Sequence, residues 1–408
     1  MPRLYNRSMH TTLPRAAANR SQELAPFLEF ANGAPAHDPQ FATEFVERLL
    51  CLARDSGASD VHLDPTGESL GIRWRLDGVL QPLAELPKAV GPNVIARLKV
   101  LAGSLTYELA LPQEGRICDE ALRVEVRVCT FPTLYGERAV LRVLGTGDAA
   151  LESLAQLGLP AGVESELQRH LAAAPGAVLV VGPAGSGKTP TAYATLRHVV
   201  STSSGGRSIA SLEDPIEVAV DGVAQSQINL AAGFDMATGL RSLLRLDPEV
   251  ILIGEMRDLA TAEIALQAAL TGQLVVTTFH AGNCAEAIHR LTDIGVPAYA
   301  VRNAVRLVVA QRLVRRLCNC AQPGDVEAHA RPLGLAVDHC RLPGSCEACR
   351  GTGYAGRPVI AEWRTLADGE LEPSPAPPGA GLWASAEALV AAGVTSPAEV
   401  IRVLGFRR

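Results

Sequence analysis

Two regimes of hydrophobic patterning divide the 408-residue chain. Over Phe41 to Ser56 apolar positions recur at helical spacing, and over Ser69 to Trp74 and Arg123 to Val128 they alternate with polar ones. The first pattern predicts an amphipathic helix and the second half-buried strands, so residues 40 to 145 read as a compact α/β unit. Asp77-Gly78 lies between two such runs and suits a hairpin turn. From Pro160 the pattern changes to short, continuous apolar runs: Val178 to Val181, Ser208 to Leu212, Val250 to Ile253 and Leu274 to Thr278. Helical stretches separate them, among them Leu259 to Thr271, with Asp258 as its N-cap and Gly272 as its stop. Apolar strands alternating with helices predict a parallel or mostly parallel sheet. Gly145-Thr-Gly-Asp reads as a linker, Pro373 to Gly381 as a flexible or polyproline-like tether, and Ser385 to Leu404 as a short amphipathic tail.

Composition adjusts this picture in a few respects. The chain is too long for one ordinary core, and 48% hydrophobic with 20% charged residues fits globular domains. Aromatic residues are only 4%, so aliphatic side chains must do most of the packing. A formal charge of −6 offers no global attraction to nucleic acid or to an anionic membrane. No apolar run approaches the roughly 18 residues that a membrane span needs. Met1 to Arg20 is rich in Arg, Ser and Ala without the apolar stretch of a secretory signal, and it reads as a disordered lead-in to a protein that stays in a cytoplasm. Nine cysteines, four of them in two late pairs, suit metal binding or buried thiols better than a disulfide framework.

The sharpest chemical signal is Gly182-Pro183-Ala184-Gly185-Ser186-Gly187-Lys188-Thr189, directly after an apolar strand. This is the phosphate-loop pattern in its required setting. Its glycines let backbone N–H groups converge on phosphate oxygens, Lys188 neutralises the β- and γ-phosphates, and Thr189 ligates Mg²⁺. Pro190 follows, at a helical position where its missing N–H costs nothing. Glu255 ends the third apolar strand and reads as the acid that organises Mg²⁺ and water. Glu213 ends the second and is a candidate to orient or deprotonate the attacking water. Parallel strands deliver their carboxyl ends to one crevice, where both acids can meet the loop. His280, at the end of the fourth strand, is either a sensor of the γ-phosphate or an ordinary surface histidine. Arg116, Arg127, Arg138 and Arg142 lie in the first domain; they either reach nucleotide on closure or pair with Glu114, Glu125 or Glu137. Cys346 and Cys349 have the spacing of a zinc corner, whereas Cys318 and Cys320 are one residue closer than usual. The two pairs form a zinc site or remain unliganded thiols, with His339 and Cys340 as spare ligands.

Taken in order, these residues resemble the assembly ATPases of bacterial type II secretion and type IV pili. The resemblance rests on Ala58-Ser-Asp-Val-His-Leu, Arg73-Trp-Arg-Leu-Asp-Gly-Val-Leu, Leu111-Pro-Gln-Glu-Gly-Arg116 and Gly136-Glu-Arg138. Beyond the phosphate loop it continues through Leu212-Glu-Asp-Pro-Ile-Glu217, Leu240 to Glu249, Gly254-Glu255-Met-Arg-Asp258, Gln311-Arg-Leu-Val and Gly353-Tyr-Ala-Gly-Arg357. It implies an α/β fold: a RecA-like P-loop ATPase core preceded by a smaller PAS-like domain. The implied layout is a poorly structured lead-in (1–39), the PAS-like domain (40–146), a linker (147–153), the ATPase domain (154–317), a cysteine-containing, zinc-type element (318–364), and a Pro-rich tether with a short helical tail (365–408). Glu213 falls in the family's acidic box, Glu255 in its Walker B strand and His280 in its histidine box, while the four arginines lie at or near positions that supply arginines to bound nucleotide. ATP and Mg²⁺ are implied, as is Zn²⁺ at the cysteine pairs. The implied protein is a homohexamer on the cytoplasmic face of a bacterial inner membrane, acting through platform and docking proteins and touching the membrane through them, with no nucleic acid expected. Departures from the family pattern are Thr189-Pro190-Thr191, Cys318-Asn319-Cys320, Glu108-Leu109-Ala110 before Leu111, and a short N-terminal region. They motivate a second reading, a nucleotide-binding regulatory subunit that does not hydrolyse; a third, a DNA-translocating hexameric ATPase, is disfavoured by the mild negative charge and the lack of a basic-aromatic stripe.

Overall fold

The computed structural model describes residues 24–34, 39–144, 153–172, 175–366 and 380–407. Nearly all of the expected linker at 147–153, and most of the Pro-rich tether, lie outside these residues. The chain forms two compact units, one from residues 1–146 with 344–356 and the other from 147–343 with 357–408. Residues 344–356, expected within a separate cysteine-containing element, thus group with the first unit.

The first unit opens with helices α1 (Leu24–Asn32) and α2 (Pro39–Asp55). Strands β1 (Asp60–Pro65), β2 (Ser69–Leu76) and β3 (Val79–Pro87) follow, then α3 (Gly91–Leu101), β4 (Gln113–Asp119), β5 (Val124–Thr133) and β6 (Gly136–Leu144). The sheet order is β3-β2-β1-β6-β5-β4, antiparallel throughout. Asp77 (φ 48°) and Gly78 (φ 79°) make the β2–β3 turn with both residues left-handed, the geometry that matches strand twist. Along α2, Phe41, Phe45, Leu49 and Ala53 fall one turn apart and are buried with Val61, Leu63, Ile72 and Trp74 of the sheet. The lead-in departs from expectation, because α1 buries Phe27 and Ala31, with Phe27 5.4 Å from the Phe45 ring. A single turn of spacing between two apolar residues is too weak a pattern to stand out from surrounding polar sequence; the partner on α2 gives it meaning.

In the second unit α4 (Ala161–Ala172) precedes β7 (Gly176–Val181), α5 (Lys188–Ser203), β8 (Ile209–Glu213) and β9 (Ala224–Gln227). Next come α6 (Met236–Leu243), β10 (Val250–Ile253), α7 (Leu259–Thr271), β11 (Leu274–Phe279), α8 (Cys284–Asp293), α9 (Ala298–Ala304) and β12 (Val305–Leu313). A small ribbon of β13 (Gln322–Gly324) and β14 (Cys340–Leu342) leads to β15 (Val359–Thr365), and helices α10 (Leu382–Ala391) and α11 (Pro397–Leu404) finish the chain. The main sheet runs β15-β12-β7-β11-β10-β8-β9 and is parallel except for β15 at its edge. Helices cover both faces, which explains the continuous apolar runs. In β7, Ala177, Leu179 and Val181 join a core with residues of α7, α8 and α9, while Val178 faces the opposite core with Tyr193 and Leu196 of α5. The predicted amphipathic tail Ser385 to Leu404 is divided between two helices, because Gly393 adopts φ 68° and Ser396-Pro397 starts a new helix, Ser396 accepting from Glu399 N. Among the described residues no helix is long and apolar enough to cross a membrane.

Candidate nucleotide site

The loop from β7 to α5 is built for close backbone approach. A Cβ on Gly182 would lie 2.3 Å from Ser186 Oγ and 2.7 Å from the Gln311 carbonyl oxygen, so only glycine fits there. Gly185 (φ 72°) and Gly187 (φ 87°) turn the chain left-handed, and Gly187 is an N-cap without a side-chain acceptor. The amino end of α5 therefore keeps its partial positive charge for an anion. Lys188 is buried and donates from Nζ to the carbonyls of Gly182 and Pro183, each at 3.0 Å. Two of three ammonium protons are thereby used and one is left. Burial lowers the Lys188 pKa, the Glu255 carboxylate counteracts this, and Arg312 adds to the depression. Ser186 Oγ is buried without a hydrogen-bond partner. Pro190 occupies the first turn of α5.

Strand order places the acids. The neighbours of β7 on one side are β11, β10 and β8 in turn, so the strand ends carrying His280, Glu255 and Glu213 step away from the loop at about 5 Å each. Glu255 is close enough to raise the Lys188 pKa, and its Oε2 takes a 2.6 Å ion pair from Arg257 Nε. His280 Nε2 lies 2.6 Å from Glu255 Oε1, without the alignment of a hydrogen bond. Thr278 Oγ1 donates to the Gly254 carbonyl at 2.6 Å and fixes the strand ends to each other. Glu213, buried, sits farther out: its Oε1 accepts from Ser211 Oγ and Gln225 Nε2, and its Oε2 from the Tyr193 hydroxyl. One acceptor direction on Oε2 is left over. Burial and the Glu213 hydrogen bond push the Tyr193 pKa far up, so its proton stays on the phenol.

Sequence reasoning overlooked Tyr193 and gave Gln311 no role of its own. Tyr193 accepts from Glu217 N at 2.9 Å while donating to Glu213, and so ties α5 to the strand that carries Glu213. Gln311, on β12, donates to the Ser186 carbonyl at 2.9 Å and accepts from Thr191 Oγ1 at 3.0 Å, clamping the loop from the opposite side. Only the strand order puts it beside β7.

A family model described as "Type II/IV secretion system protein" matches residues 36–373. The chain belongs to this family. Among its relatives, the Type II secretion system protein E of Aeromonas hydrophila is 39% identical over 337 residues, covering 80% of this chain and 66% of that protein. The Type IV pilus assembly ATPase PilB of Thermus thermophilus is 37% identical over 340 residues, covering 81% of this chain and 38% of that protein. The chain thus spans less than two thirds of the length of either relative. In fold it is similar to the ATPase DotB of Legionella pneumophila, with a TM-score of 0.63 at 21% identity over 88% of this chain and 93% of that one. The expected fold class, a P-loop ATPase core preceded by a smaller α/β domain, is the one observed.

The arginines sit on the solvent side of the first sheet. Arg116, Arg127 and Arg142 are directly opposed across β4, β5 and β6, a register that places like charges side by side. Glu125 pairs with Arg116 and Glu114 with Arg127, while Asp60 lies 3.2 Å from Arg142 and Asp64 2.6 Å from Arg138. Glu137 is engaged elsewhere, 2.8 Å from the buried Lys99. Of the two late cysteine pairs, Cys318 and Cys320 belong to the second unit and Cys346 and Cys349 to the first. Tetrahedral zinc holds its sulfurs about 3.8 Å apart, given Zn–S bonds of about 2.3 Å, and Cys346 and Cys349 already stand at 3.6 Å. Gly353 N donates to Cys349 Sγ at 3.2 Å, a bond that favours a thiolate. Within the first unit, Cys346 and Cys349 thus have the separation of a zinc corner.

Proposed function

We propose that this chain is an ATPase that works as a homohexamer and drives assembly of a pilus or type II secretion pseudopilus through an inner-membrane platform protein. The observation that carries the reading is the phosphate loop itself: an uncapped helix terminus, one unused Lys188 proton and an unpartnered Ser186 hydroxyl, all at one place. Residues Gly182 to Pro190 bind the triphosphate, and Lys188 meets its terminal phosphates. Thr189 and Glu255 would hold Mg²⁺, which supplies charge neutralisation when bound. Glu213 orients the attacking water through its remaining acceptor direction. His280, set against Glu255, reports the presence of the γ-phosphate. The arginine ladder of Arg116, Arg127 and Arg142, with Arg138, provides guanidinium groups to nucleotide; its like charges gain from an arriving anion. The four cysteines hold a structural zinc. The protein acts on the cytoplasmic face of the membrane and contacts it through its partners.

A nucleotide-binding subunit that does not hydrolyse is the second reading, favoured by how fully Glu213 is engaged by Tyr193, Ser211 and Gln225. Phosphate release from the purified protein separates the two. The wild type turns over ATP, and Lys188→Ala loses about 100-fold or more. Near-native turnover in Lys188→Ala overturns the mechanism, and nucleotide binding without phosphate release in the wild type selects the second reading.

A further inference from the structure

Glu362 lies on β15, outside the nucleotide loop, and is 8% exposed. A carboxylate buried this deeply needs compensation; the Arg364 guanidinium, 3.8 Å from its Oε2, supplies part of it and two helices supply the hydrogen bonds. Its Oε1 accepts from Cys284 N at 3.0 Å and its Oε2 from Leu382 N at 3.3 Å. These are the first residues of α8 and α10, so one side chain serves two helix amino ends, where a negative charge is favoured.

What the two helices connect to gives the arrangement its meaning. Helix α8 begins where the loop from His280 to Asn283 leaves β11, and His280 lies against Glu255. That loop is held on β12 by Arg312, whose Nη2 donates to the Gly282 carbonyl at 2.5 Å. The preceding residue, Gln311, holds the phosphate loop. Helix α10 opens the C-terminal pair; α11 is in turn locked by Glu399 to Arg315 just past β12, at 2.8 Å. Beside Glu362 a cleft of about 740 Å³ is lined by Gly282, Arg312, Arg364, Trp383 and Arg407. At its first turn α10 is thus held on one side by Glu362 and borders open space on the other, which leaves it room to follow the loop.

We propose that Glu362 is a positioning residue that couples the histidine loop of the nucleotide site to the C-terminal helix pair. The inference rests on the reading of residues 182–189 as the nucleotide site. A displacement of the His280–Asn283 loop shifts the Cys284 N–H, and the shared carboxylate passes that shift to Leu382.

Hydrogen–deuterium exchange on the full chain, with Mg-ADP against a non-hydrolysable Mg-ATP analogue, tests it. In the wild type, amides 182–189 respond to nucleotide and amides 381–386 differ between the two nucleotides. In Glu362→Gln, which keeps one acceptor oxygen and cannot serve both N–H groups, the response at 182–189 persists. The difference at 381–386 shrinks by about fivefold, the effect of losing one ordinary hydrogen bond. A wild type in which 381–386 ignores the nucleotide overturns the proposal, as does a variant in which the full difference survives. Should Glu362→Gln fail to fold, Glu362→Asp, whose shorter arm cannot span both helices, is held to the same outcomes. No response at 182–189 in the wild type would instead overturn the nucleotide site itself.

Discussion

At the scale of single residues, charge burial separates the groups that hold the protein together from those left for chemistry. Lys99 has no exposure, and its ammonium donates to Glu137 at 2.8 Å and to the Glu108 carbonyl at 2.7 Å. Removing the cation leaves Glu137 without its partner, on a side chain only 8% exposed. Lys99→Met therefore costs the first unit about 3 kcal/mol, read as a lower urea midpoint. The surface pairs of Arg127 with Glu114 and Arg116 with Glu125 are exposed and carry little stability. Lys188 differs from Lys99 although both are buried: its Nζ has only carbonyls as hydrogen-bond partners, with no carboxylate among them. Nothing in the sequence distinguishes these two lysines except the glycine pattern around one of them.

Among elements, the phosphate loop is shaped as much by its neighbour as by its own glycines. Gln311 belongs to β12, yet it bonds both to Ser186 and to Thr191. Gln311→Ala leaves the backbone pairing of β12 with β7 intact and frees the loop. Losing the clamp at Ser186 raises the KM for ATP about fivefold, and the cavity left by a side chain only 1% exposed lowers the melting temperature as well, measured by steady-state kinetics and calorimetry. The strands were legible because β7, β8, β10 and β11 are buried on both faces and so read as unbroken apolar runs. Helix α7 was legible from Asp258, which accepts from Thr261 N, and from the glycine at its end. By contrast α1 was not, since its two buried residues mean little without Phe45.

For the whole molecule, the last helix, α11, is anchored by a second buried carboxylate. Glu399 is 1% exposed and bonds Arg315 through its backbone N–H and its guanidinium, and Arg402 besides. Burial alone would raise its pKa, but the hydrogen bonds from Arg402 and Arg315 outweigh it and hold the folded value below the ordinary 4.5. A depressed acid stabilises the fold at pH above its unfolded value, and that stabilisation is lost as pH falls through the folded value. The melting temperature of the wild type therefore declines below pH 4.5, and Glu399→Gln, less stable at neutral pH, shows a shallower decline over the same window. Thermal melts from pH 3 to 7, an interval set about that carboxylate range, check this.

The sequence by itself determined four strands of the second unit's sheet, the phosphate loop and the family, because local patterning and contiguous motifs carry that information along the chain. Only the tertiary structure decided which groups each acid meets. Glu213 was a candidate to orient or deprotonate the attacking water, and its neighbours are Tyr193, Ser211 and Gln225; Glu362 gathers Cys284 and Leu382, nearly a hundred residues apart in sequence. Strand order decides such encounters, and strand order is a property of long-range pairing that no spacing along the chain records.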